Sequence, residues 1–461
     1  MVGSLKIINV RIFDVFSGQF SELGALEIKH GIFSAFKNNQ AQSKSQQDIL
    51  DGQGGYLIPG LIDCHCHILG TFANPEDTKF HLWLIKQVRN NLRVMLLAGV
   101  TAIRDMLAPI NLINSYRRKI YKSKVIGPRI FTAGPMFSVE NGYPYFLPSQ
   151  PWVVNKAIGQ LRWELKSESD IPRAVLYLKK KGVNHIKIYR LHQQLTEEAK
   201  PVSEIPLPWL LKICDAAHAM DLPVACHHSF VKGFREILEL PIDTLEHLAV
   251  DGIYSDQDVQ LFKAKNIYLI PTIKVMYDAA VEDPRQEPFF GEWLKSPAAR
   301  QAFEPVPRRI LLDLVADRWN PKYQTIVSKN IAQHGYKISF DNFRKMHQAG
   351  VKMAMGTDSG VNVCFFPHAP RELEHMVRFG MSPAEALRTG TINGAEVIGL
   401  SDRLGSITPG KWADCVLLRD NPLENITRIY DIQYVIKNGI VYDPVVELQR
   451  DVTLKMSGLV R

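Results

Sequence analysis

The chain has 461 residues, of which 46% are hydrophobic, 22% charged and 9% aromatic. This is the composition of an ordinary folded globular protein, and it argues against the disordered, fibrous and membrane-embedded classes. A single core stops growing well below this length, so we expect one large domain and one smaller domain.

A formal net charge of +8 is compatible with an acidic partner, but the lysines and arginines are scattered. No basic stripe interleaved with aromatic residues occurs, so nucleic-acid binding is not expected. The longest apolar runs are of strand length and are interrupted by charge, so no membrane span is expected either. Cysteines inside apolar stretches and a start without signal-peptide features predict a cytoplasmic protein. Assembly into a homo-oligomer stays open.

Both ends of the chain are predicted to form short strands joined by tight turns. The apolar strand-length runs near the two ends are 5–13, 25–28, 32–33, 414–418, 434–436 and 440–442. The pair Asn438-Gly439 between the last two runs is a strong hairpin signal. We therefore predict that residues 1–56 and 405–461 meet in one small β-sandwich-like domain.

Between the two ends, strand-length apolar runs alternate with helical patterns. Eight such runs lie at 56–62, 100–104, 129–133, 185–189, 223–226, 244–248, 267–273 and 352–356. This alternation indicates a parallel sheet, and eight units within residues 57–404 suit a closed α/β barrel of the (β/α)8 or TIM type. A doubly wound open sheet is the alternative. The stretch from about 275 to 345 is too long for one connecting helix and is predicted to form a lid over the barrel mouth.

Two histidines at the end of the first predicted barrel strand indicate a metal site. His65 and His67 are two residues apart, so they lie on one face, about 7 Å apart, and can reach a single ion. Cys64 and Cys66 point to the opposite face by the same alternation. We interpret the two cysteines as buried thiols rather than as zinc ligands.

Later strand ends supply further candidate ligands, at the rim where such barrels place their active groups. Alternation groups His227 with the small Ala225 on the crowded inner face, so His227 is favoured over His228. His247 ends the sixth predicted strand and Asp358 ends the eighth. Four histidines and a carboxylate at one rim suit zinc or another divalent transition metal.

Lys187 lies in the middle of the fourth predicted strand, between apolar neighbours. Burial of an ammonium group is costly unless the group is paired or its pKa falls. A neutral lysine amine can react with carbon dioxide, giving a carbamate whose two oxygens bridge two cations. The alternative is a salt bridge to an acid inside the barrel. His185 shares the inward parity but lies deeper, so we interpret it as a core residue.

Residues 59–67 resemble the opening motif of the amidohydrolase superfamily. Other parts of the chain fall where that pattern expects them, namely His227, His247, Asp358 and the closing segment 382–423. Through residues 98–105 and 127–129, the chain is most similar to the branch of imidazolonepropionase-like and prolidase-like (Xaa-Pro dipeptidase) hydrolases. The resemblance covers nearly the whole chain.

This resemblance implies a hydrolase of carbon–nitrogen bonds with a binuclear metal site. Members of the prolidase-like branch carry a carboxylated lysine, and Lys187 matches its place. The implied ligands are His65, His67 and Asp358 for one metal, His227 and His247 for the other, and the carbamate of Lys187 as the bridge. Two zinc ions are the expected cofactors, together with the carbon dioxide of the carbamate.

The chain departs from the branch near the expected substrate site. Residues 140–145 replace a loop that contains glycine and histidine, and Ser229 stands where a second histidine is common. Dipeptide specificity therefore does not follow from the resemblance. The residues expected to orient the substrate are Tyr143, Tyr189, Arg190 and His228.

The predicted reaction is hydrolysis of an amide, peptide-like or cyclic amide bond of a small molecule by a metal-bound hydroxide. Asp358 is expected to accept the proton of the water and to deliver it to the leaving nitrogen. Two alternatives stay open at this stage. One is a mononuclear deaminase of a ring amine with an unmodified Lys187, and the other is a metal-free barrel that serves as a binding module.

Overall fold

The computed structural model describes residues 4–38, 48–69, 80–144, 160–193, 195, 201–280, 334–360 and 369–447. Within these ranges the chain is an α/β protein, with strands near both ends and alternating strands and helices between them. Residues 281–333 of the predicted lid lie outside the described residues.

The elements are numbered in chain order. The strands are β1 Ser4–Asp14, β2 Gln19–Phe20, β3 Gly24–Lys29, β4 Ile32–Asn38, β5 Asp48–Pro59, β6 Leu61–Cys66, β7 Val100–Asp105, β8 Arg129–Thr132, β9 Met136–Ser138, β10 Arg162–Glu164, β11 Ile186–Tyr189, β12 Val224–His227, β13 Thr244–Glu246, β14 Tyr268–Ile270, β15 Cys415–Leu418, β16 Ile432–Lys437 and β17 Ile440–Tyr442. The helices are α1 Phe80–Leu97, α2 Ile110–Tyr121, α3 Ile171–Lys181, α4 Leu207–His218, α5 Val231–Ile237, α6 Asp256–Ala264, α7 Ile273–Ala280, α8 Tyr336–Gln348, α9 Ala369–Arg378, α10 Pro383–Thr389 and α11 Ile392–Val397.

Strands from both ends of the chain share one sheet, in the order β17-β16-β15-β5-β1-β3-β4, with β2 paired to β1. The two ends meet where β15 pairs antiparallel with residues 56–59 of β5. The predicted hairpin is present, because β16 and β17 pair around Asn438 and Gly439, which both have positive φ. Positive φ at both positions is what the favoured two-residue hairpin turn requires. The sandwich-like packing and the domain boundaries stay predictions.

The first predicted barrel strand is divided in two at Gly60. Residues 56–59 belong to β5, whereas β6 begins at Leu61 and pairs parallel with β7. A Cβ atom at Gly60 would lie 2.2 Å from the hydroxyl oxygen of Thr101, so a side chain at this position would clash. The prediction of one strand over 56–62 is therefore wrong for its first four residues, because apolar character does not tell which sheet a strand joins.

Three parallel sheets occupy the middle of the chain within the described residues, namely β6-β7-β8, β11-β12-β13-β14 and the two-stranded β9-β10. The segment 352–359 contains the eighth predicted strand and forms backbone hydrogen bonds with β14 and with β6, including one of 2.8 Å from the Cys64 nitrogen to the Met355 oxygen. Before β11, the Asn184 nitrogen donates to the Thr132 oxygen of β8 at 2.8 Å. Parallel strands end at the same edge of a sheet, so residues that follow these strands can lie close together.

Apolar side chains form separate cores for the two parts of the chain. One cluster lies in the terminal sheet and includes Ile7, Val10, Ile28, Leu57, Leu417 and Ile436. A larger cluster packs the parallel strands against the helices, with Ile103, Ile188 and Leu245 among its strand residues. None of the helices in the described ranges combines the length and the apolar composition that a membrane span requires.

Candidate metal centre

Three predicted ligands meet where β6 and the segment 352–359 end. The Nε2 atoms of His65 and His67 lie 3.3 and 3.1 Å from Oδ1 of Asp358. Within the described ranges that oxygen has no partner in hydrogen-bond geometry, although both nitrogens are close to it. Ligand atoms that converge in this way surround a point at which a cation can bind. These residues form a group with metal-ligand geometry within the described part of the chain.

The other two predicted histidine ligands extend this group. The ring centroid of His247 lies 4.6 Å from that of His65 and 4.7 Å from that of His227. Burial lowers the pKa of both His227 and His247 well below the ordinary value, so both imidazoles are neutral near pH 7. Nε2 of His227 is buried and has no hydrogen-bond partner. A neutral imidazole with a free nitrogen is the form that binds a metal.

The amine of Lys187 is buried and has no hydrogen-bond partner among the residues that the structure describes. Lys187 lies on β11 beside Ala225 of β12, two residues before His227. Burial lowers the pKa of the amine to about 8, although the nearby charge of Glu246 acts in the opposite direction. Among the described residues no acid forms a hydrogen bond with this amine, so nothing there supports the alternative of a salt bridge inside the barrel. A substantial fraction of the amine is neutral at moderately basic pH, and the neutral form is the nucleophile.

Three residues of this region have a left-handed backbone. The φ angles of His247, Thr272 and Asp358 are 75°, 47° and 55°. This conformation is uncommon for any residue other than glycine and is a clear outlier for β-branched threonine. The Thr272 hydroxyl lies 2.7 Å from Nδ1 of His247, so two of the strained residues contact each other. Strain of this kind persists where the surrounding structure holds it, often at functional sites.

Glu246 belongs to the site, although the sequence analysis assigned it no role. Its carboxylate is fully buried, and Oε2 lies 2.6 Å from Nδ1 of His65. Oε1 accepts hydrogen bonds from Arg104 at 2.5 Å and from the Thr244 hydroxyl at 2.6 Å. Burial raises the pKa of this carboxyl, but the charge of Arg104 and other neighbours outweighs burial and holds the pKa well below its ordinary value.

The reason that Glu246 was missed lies in the backbone of its neighbour. Strict alternation along a strand places Glu246 and His247 on opposite faces. In the structure both side chains contact His65, because β13 ends at Glu246 and His247 has a positive φ. The available signal was the carboxylate itself, since a charged residue within an apolar strand requires a partner.

The two cysteines of the opening motif do not join the histidines. The sulfur of Cys64 lies 3.8 Å from the carbonyl oxygen of Gly394 in α11, and that of Cys66 lies 3.9 Å from the carbonyl oxygen of Arg104. Burial raises the pKa of the Cys64 thiol to about 12, so it stays protonated near neutral pH. Both contacts agree with the interpretation of these residues as buried thiols.

Tyr143 is the predicted substrate residue that lies against a predicted ligand. Its ring stacks on that of His227, with 4.7 Å between centroids and 13° between planes. The backbone carbonyl of Tyr143 accepts a hydrogen bond of 2.8 Å from the Ser138 hydroxyl. Burial raises the pKa of the phenol, and the negative charge of Asp358 raises it further. The hydroxyl therefore keeps its proton and can act as a donor.

The other three predicted substrate residues form hydrogen bonds within the protein. The Tyr189 hydroxyl donates to a backbone carbonyl, and the guanidinium of Arg190 pairs with Glu236. The ring of His228 lies on the other side of its strand, with Nε2 2.8 Å from the Tyr254 hydroxyl. A role for Tyr189, Arg190 and His228 in substrate binding stays a prediction.

Residues 56–446 match the model of the amidohydrolase family. The chain belongs to the amidohydrolase family. The resemblance noted in the sequence is thereby confirmed, and the family assignment implies an α/β fold of the TIM-barrel type. This amidohydrolase is accordingly a hydrolase that acts on carbon–nitrogen bonds of small molecules.

Individual relatives and solved structures agree with this assignment. Ochratoxinase of Aspergillus niger is 24% identical to this amidohydrolase over 397 residues, which are 80% of this chain and 71% of that protein. Imidazolonepropionase of Porphyromonas gingivalis is 42% identical over 77 residues, 16% of this chain and 18% of that protein. A solved Xaa-Pro dipeptidase with bound methionine has a TM-score of 0.74 at 23% identity and covers 96% of this chain and 100% of its own. Molinate hydrolase has a TM-score of 0.75 at 18% identity, with coverage of 96% and 95%.

Proposed function

We propose that this amidohydrolase hydrolyses an amide, peptide-like or cyclic amide bond of a small molecule at a binuclear metal centre. The observation that carries the proposal is the buried, unpartnered amine of Lys187 beside a cluster of histidines and a carboxylate. The residues that would hold the ions are His65, His67 and Asp358 on one side and His227 and His247 on the other, with a carbamate of Lys187 between them. Zinc is the metal that this donor set suits best.

The polar atoms of the site fit bound cations because several of them lack any other partner. Oδ1 of Asp358, Nε2 of His227 and Nζ of Lys187 are all buried without a hydrogen bond to any described residue. An unsatisfied buried polar atom costs about 1–3 kcal/mol, and native proteins keep few of them. Three such atoms in one region, all of types that bind metals directly or after modification, support a bound group at this place.

Carbamate formation at Lys187 needs only the neutral amine and carbon dioxide. The amine nitrogen forms a bond to the carbon of carbon dioxide and releases one proton to solvent, which leaves one negative charge shared by two oxygens. The pKa of about 8 makes the neutral amine available. An anion at this position suits two flanking cations, whereas an ammonium would repel them.

The bound metal and the side chains of the site have different roles in the proposed reaction. A bound divalent metal supplies a Lewis acid that lowers the pKa of water and polarises a carbonyl group. Burial raises the pKa of Asp358, but its contacts with His65 and His67 outweigh burial and hold the pKa well below its ordinary value, so the carboxyl stays ionised. Asp358 therefore accepts the proton of the attacking water and later delivers it to the leaving nitrogen. The neutral imidazoles of His227 and His247 keep their nitrogens available as ligands.

Tyr143 is proposed to donate a hydrogen bond from its phenol to the carbonyl oxygen of the substrate. The ring position against His227 and the electrostatic effect of Asp358 support this role. We expect Tyr143→Phe to lower kcat about 10²-fold, as loss of one oxyanion donor does, with a smaller change in KM. The metal content should stay the same. Steady-state kinetics and metal analysis of the variant measure both effects.

A matched control is Tyr121→Phe, because the Tyr121 side chain is 89% exposed on α2. This control should behave as the wild type. An unchanged kcat in Tyr143→Phe would remove the phenol from the mechanism without affecting the proposed metal centre.

The experiment that tests the proposed function combines metal analysis with a substrate panel. Protein reconstituted with Zn²⁺ should hold two ions per chain and should hydrolyse members of a panel of N-acyl amino acids, dipeptides, lactams and cyclic amines. Carbon-13 bicarbonate should label the Lys187 carbamate. One ion with an unmodified amine would favour the mononuclear deaminase instead. No ion after reconstitution would favour a metal-free binding module.

The names of the relatives do not single out one substrate for the panel. Ochratoxinase, imidazolonepropionase, Xaa-Pro dipeptidase and molinate hydrolase are named for different molecules. The departures at residues 140–145 and at Ser229 lie where substrate is expected to bind. The panel therefore includes several kinds of amide rather than dipeptides alone.

A further inference from the structure

The strongest buried charge pair next to the candidate metal centre is formed by Arg104 of β7 and Glu246 of β13. The guanidinium nitrogen Nη2 lies 2.5 Å from Oε1 of Glu246, and both side chains are at most 2% exposed. Arg104 also donates to the Thr244 hydroxyl at 3.1 Å and, through Nε, to the backbone oxygen of Cys64 at 2.7 Å. Through these contacts one guanidinium links β6, β7 and β13 next to His65, the residue that follows Cys64.

We propose that Glu246, held by Arg104, is a positioning residue that orients His65 as a metal ligand. A carboxylate can only accept hydrogen bonds, so Nδ1 of His65 must carry the proton in the 2.6 Å contact with Oε2. In the neutral imidazole, which is the form that binds a metal, Nε2 of His65 is then the nitrogen without a proton. That atom is the one directed at Asp358, at 3.3 Å. The inference rests on the proposed function in so far as a cation is the partner of Nε2.

Arg104 acts on both the backbone and the side chain of this ligand. Its bond to the Cys64 oxygen holds the peptide before His65, while its bond to Glu246 holds the acceptor of the imidazole proton. A lysine could not make these contacts together, because the planar guanidinium has donors in several fixed directions. Breaking a buried pair of this kind leaves an uncompensated charge, so both members are required together.

The testing experiment measures metal binding without substrate, so it does not depend on activity. In Glu246→Gln the side-chain amide must present its NH₂ either to His65 or to Arg104, so one of the two contacts is lost. We expect the affinity for one of the two Co²⁺ or Zn²⁺ ions to fall about 10–100-fold, the effect typical of partners behind a metal-bound histidine. The second ion should bind as in the wild type. Competition with a chromophoric chelator measures both affinities.

A second variant and a control keep the result interpretable. Arg104→Lys retains the positive charge and should lower the affinity for the same ion. This variant tests the inference even if Glu246→Gln does not fold. Glu372→Gln changes another fully buried carboxyl group, whose pKa burial raises to about 8 and which accepts hydrogen bonds from the backbone nitrogens of residues 273 and 274 at 2.8 and 2.7 Å. This control should leave both metal affinities unchanged, although it lowers stability.

Nitrogen-15 spectra of labelled histidine report the tautomer of His65. This tautomer would not change in the variant if Glu246 only stabilised the fold. In the metal-free wild type, Nδ1 of His65 should be protonated, and in Glu246→Gln the two ring tautomers should become mixed. Equal metal affinity and an unchanged tautomer in the variants would overturn the inference and leave the proposed function standing. A wild-type protein that binds no metal would overturn the proposed function itself.

Discussion

Lys187→Ala is expected to lower kcat/KM about 10³-fold or more, because it removes the anion that bridges the two proposed ions and their combined Lewis acidity. The same change should reduce the metal content below two ions per chain. Short carboxylic acids such as propionate should restore part of the activity, because a carboxylate can occupy the place of the carbamate. Steady-state kinetics with and without propionate and metal analysis measure the three effects.

Lys180→Ala provides the matched control for this variant. Lys180 lies exposed on α3, so its removal should change neither activity nor metal content. The bridge would be excluded if Lys187→Ala kept two ions or if no small carboxylic acid restored turnover. Failure of carbon-13 bicarbonate to label Lys187 in the nuclear magnetic resonance spectrum of the active wild-type protein would lead to the same conclusion.

The pKa of the Lys187 amine can be tested in the metal-free wild-type protein, with metal-free Lys187→Ala for comparison. The pKa of Lys187 is about 8 in the folded protein, below the value of 10.5 for an unperturbed lysine. Between these two pH values the unfolded chain binds the extra proton, so the stability of the folded state rises with pH across this window. The shift corresponds to about 3 kcal/mol at most. Urea unfolding across the window should show this rise in the wild type and not in Lys187→Ala.

Asp358→Asn is the second substitution with a large expected effect. It removes a negative ligand and the proton acceptor together, so kcat/KM should fall about 10²–10⁴-fold from the loss of general base catalysis alone. The affinity for one of the ions should also fall. Asparagine has the same size and also tolerates a left-handed backbone, so the φ of 55° at this position is not itself a cause of the loss.

Asp221→Asn is a close control because it combines the same substitution with the same backbone conformation. Asp221 has a φ of 52° and lies exposed between α4 and β12. Its substitution should leave kinetics, metal content and thermal unfolding unchanged. Activity within a few-fold of the wild type in Asp358→Asn would assign the proton transfer to another group.

The alternation of strands and helices was visible in the sequence because parallel strands buried on both faces form continuous apolar runs. Seven of the eight predicted runs contain or overlap a described strand, β6 to β8 and β11 to β14, and the eighth lies in the hydrogen-bonded segment 352–359. The split at Gly60 was not visible, because residues on both sides of it are equally apolar. Only the pairing of residues 56–59 with β15 shows that they belong to the terminal sheet.

The predicted histidine and aspartate ligands could be proposed from sequence because each stands at or near the end of a predicted strand. Side chains at the carboxyl ends of parallel strands share one edge, so His65, His67 and Asp358 could be placed together before any distance was known. Local alternation also separated the cysteines from these histidines. These inferences depend only on strand geometry, which neighbouring residues determine.

The sequence by itself determined which chemical groups stand at the strand ends, and therefore that a metal-dependent amidohydrolase was to be expected. Only the tertiary structure shows that Lys187 has no hydrogen-bond partner in the described part of the chain, and that Glu246 contacts both His65 and Arg104. Contacts between residues more than a hundred positions apart leave no local pattern. Strand geometry predicts that Glu246 and His247 point to opposite faces, and the positive φ of His247 breaks this alternation. Such strained conformations are held by the surrounding fold rather than by local preference.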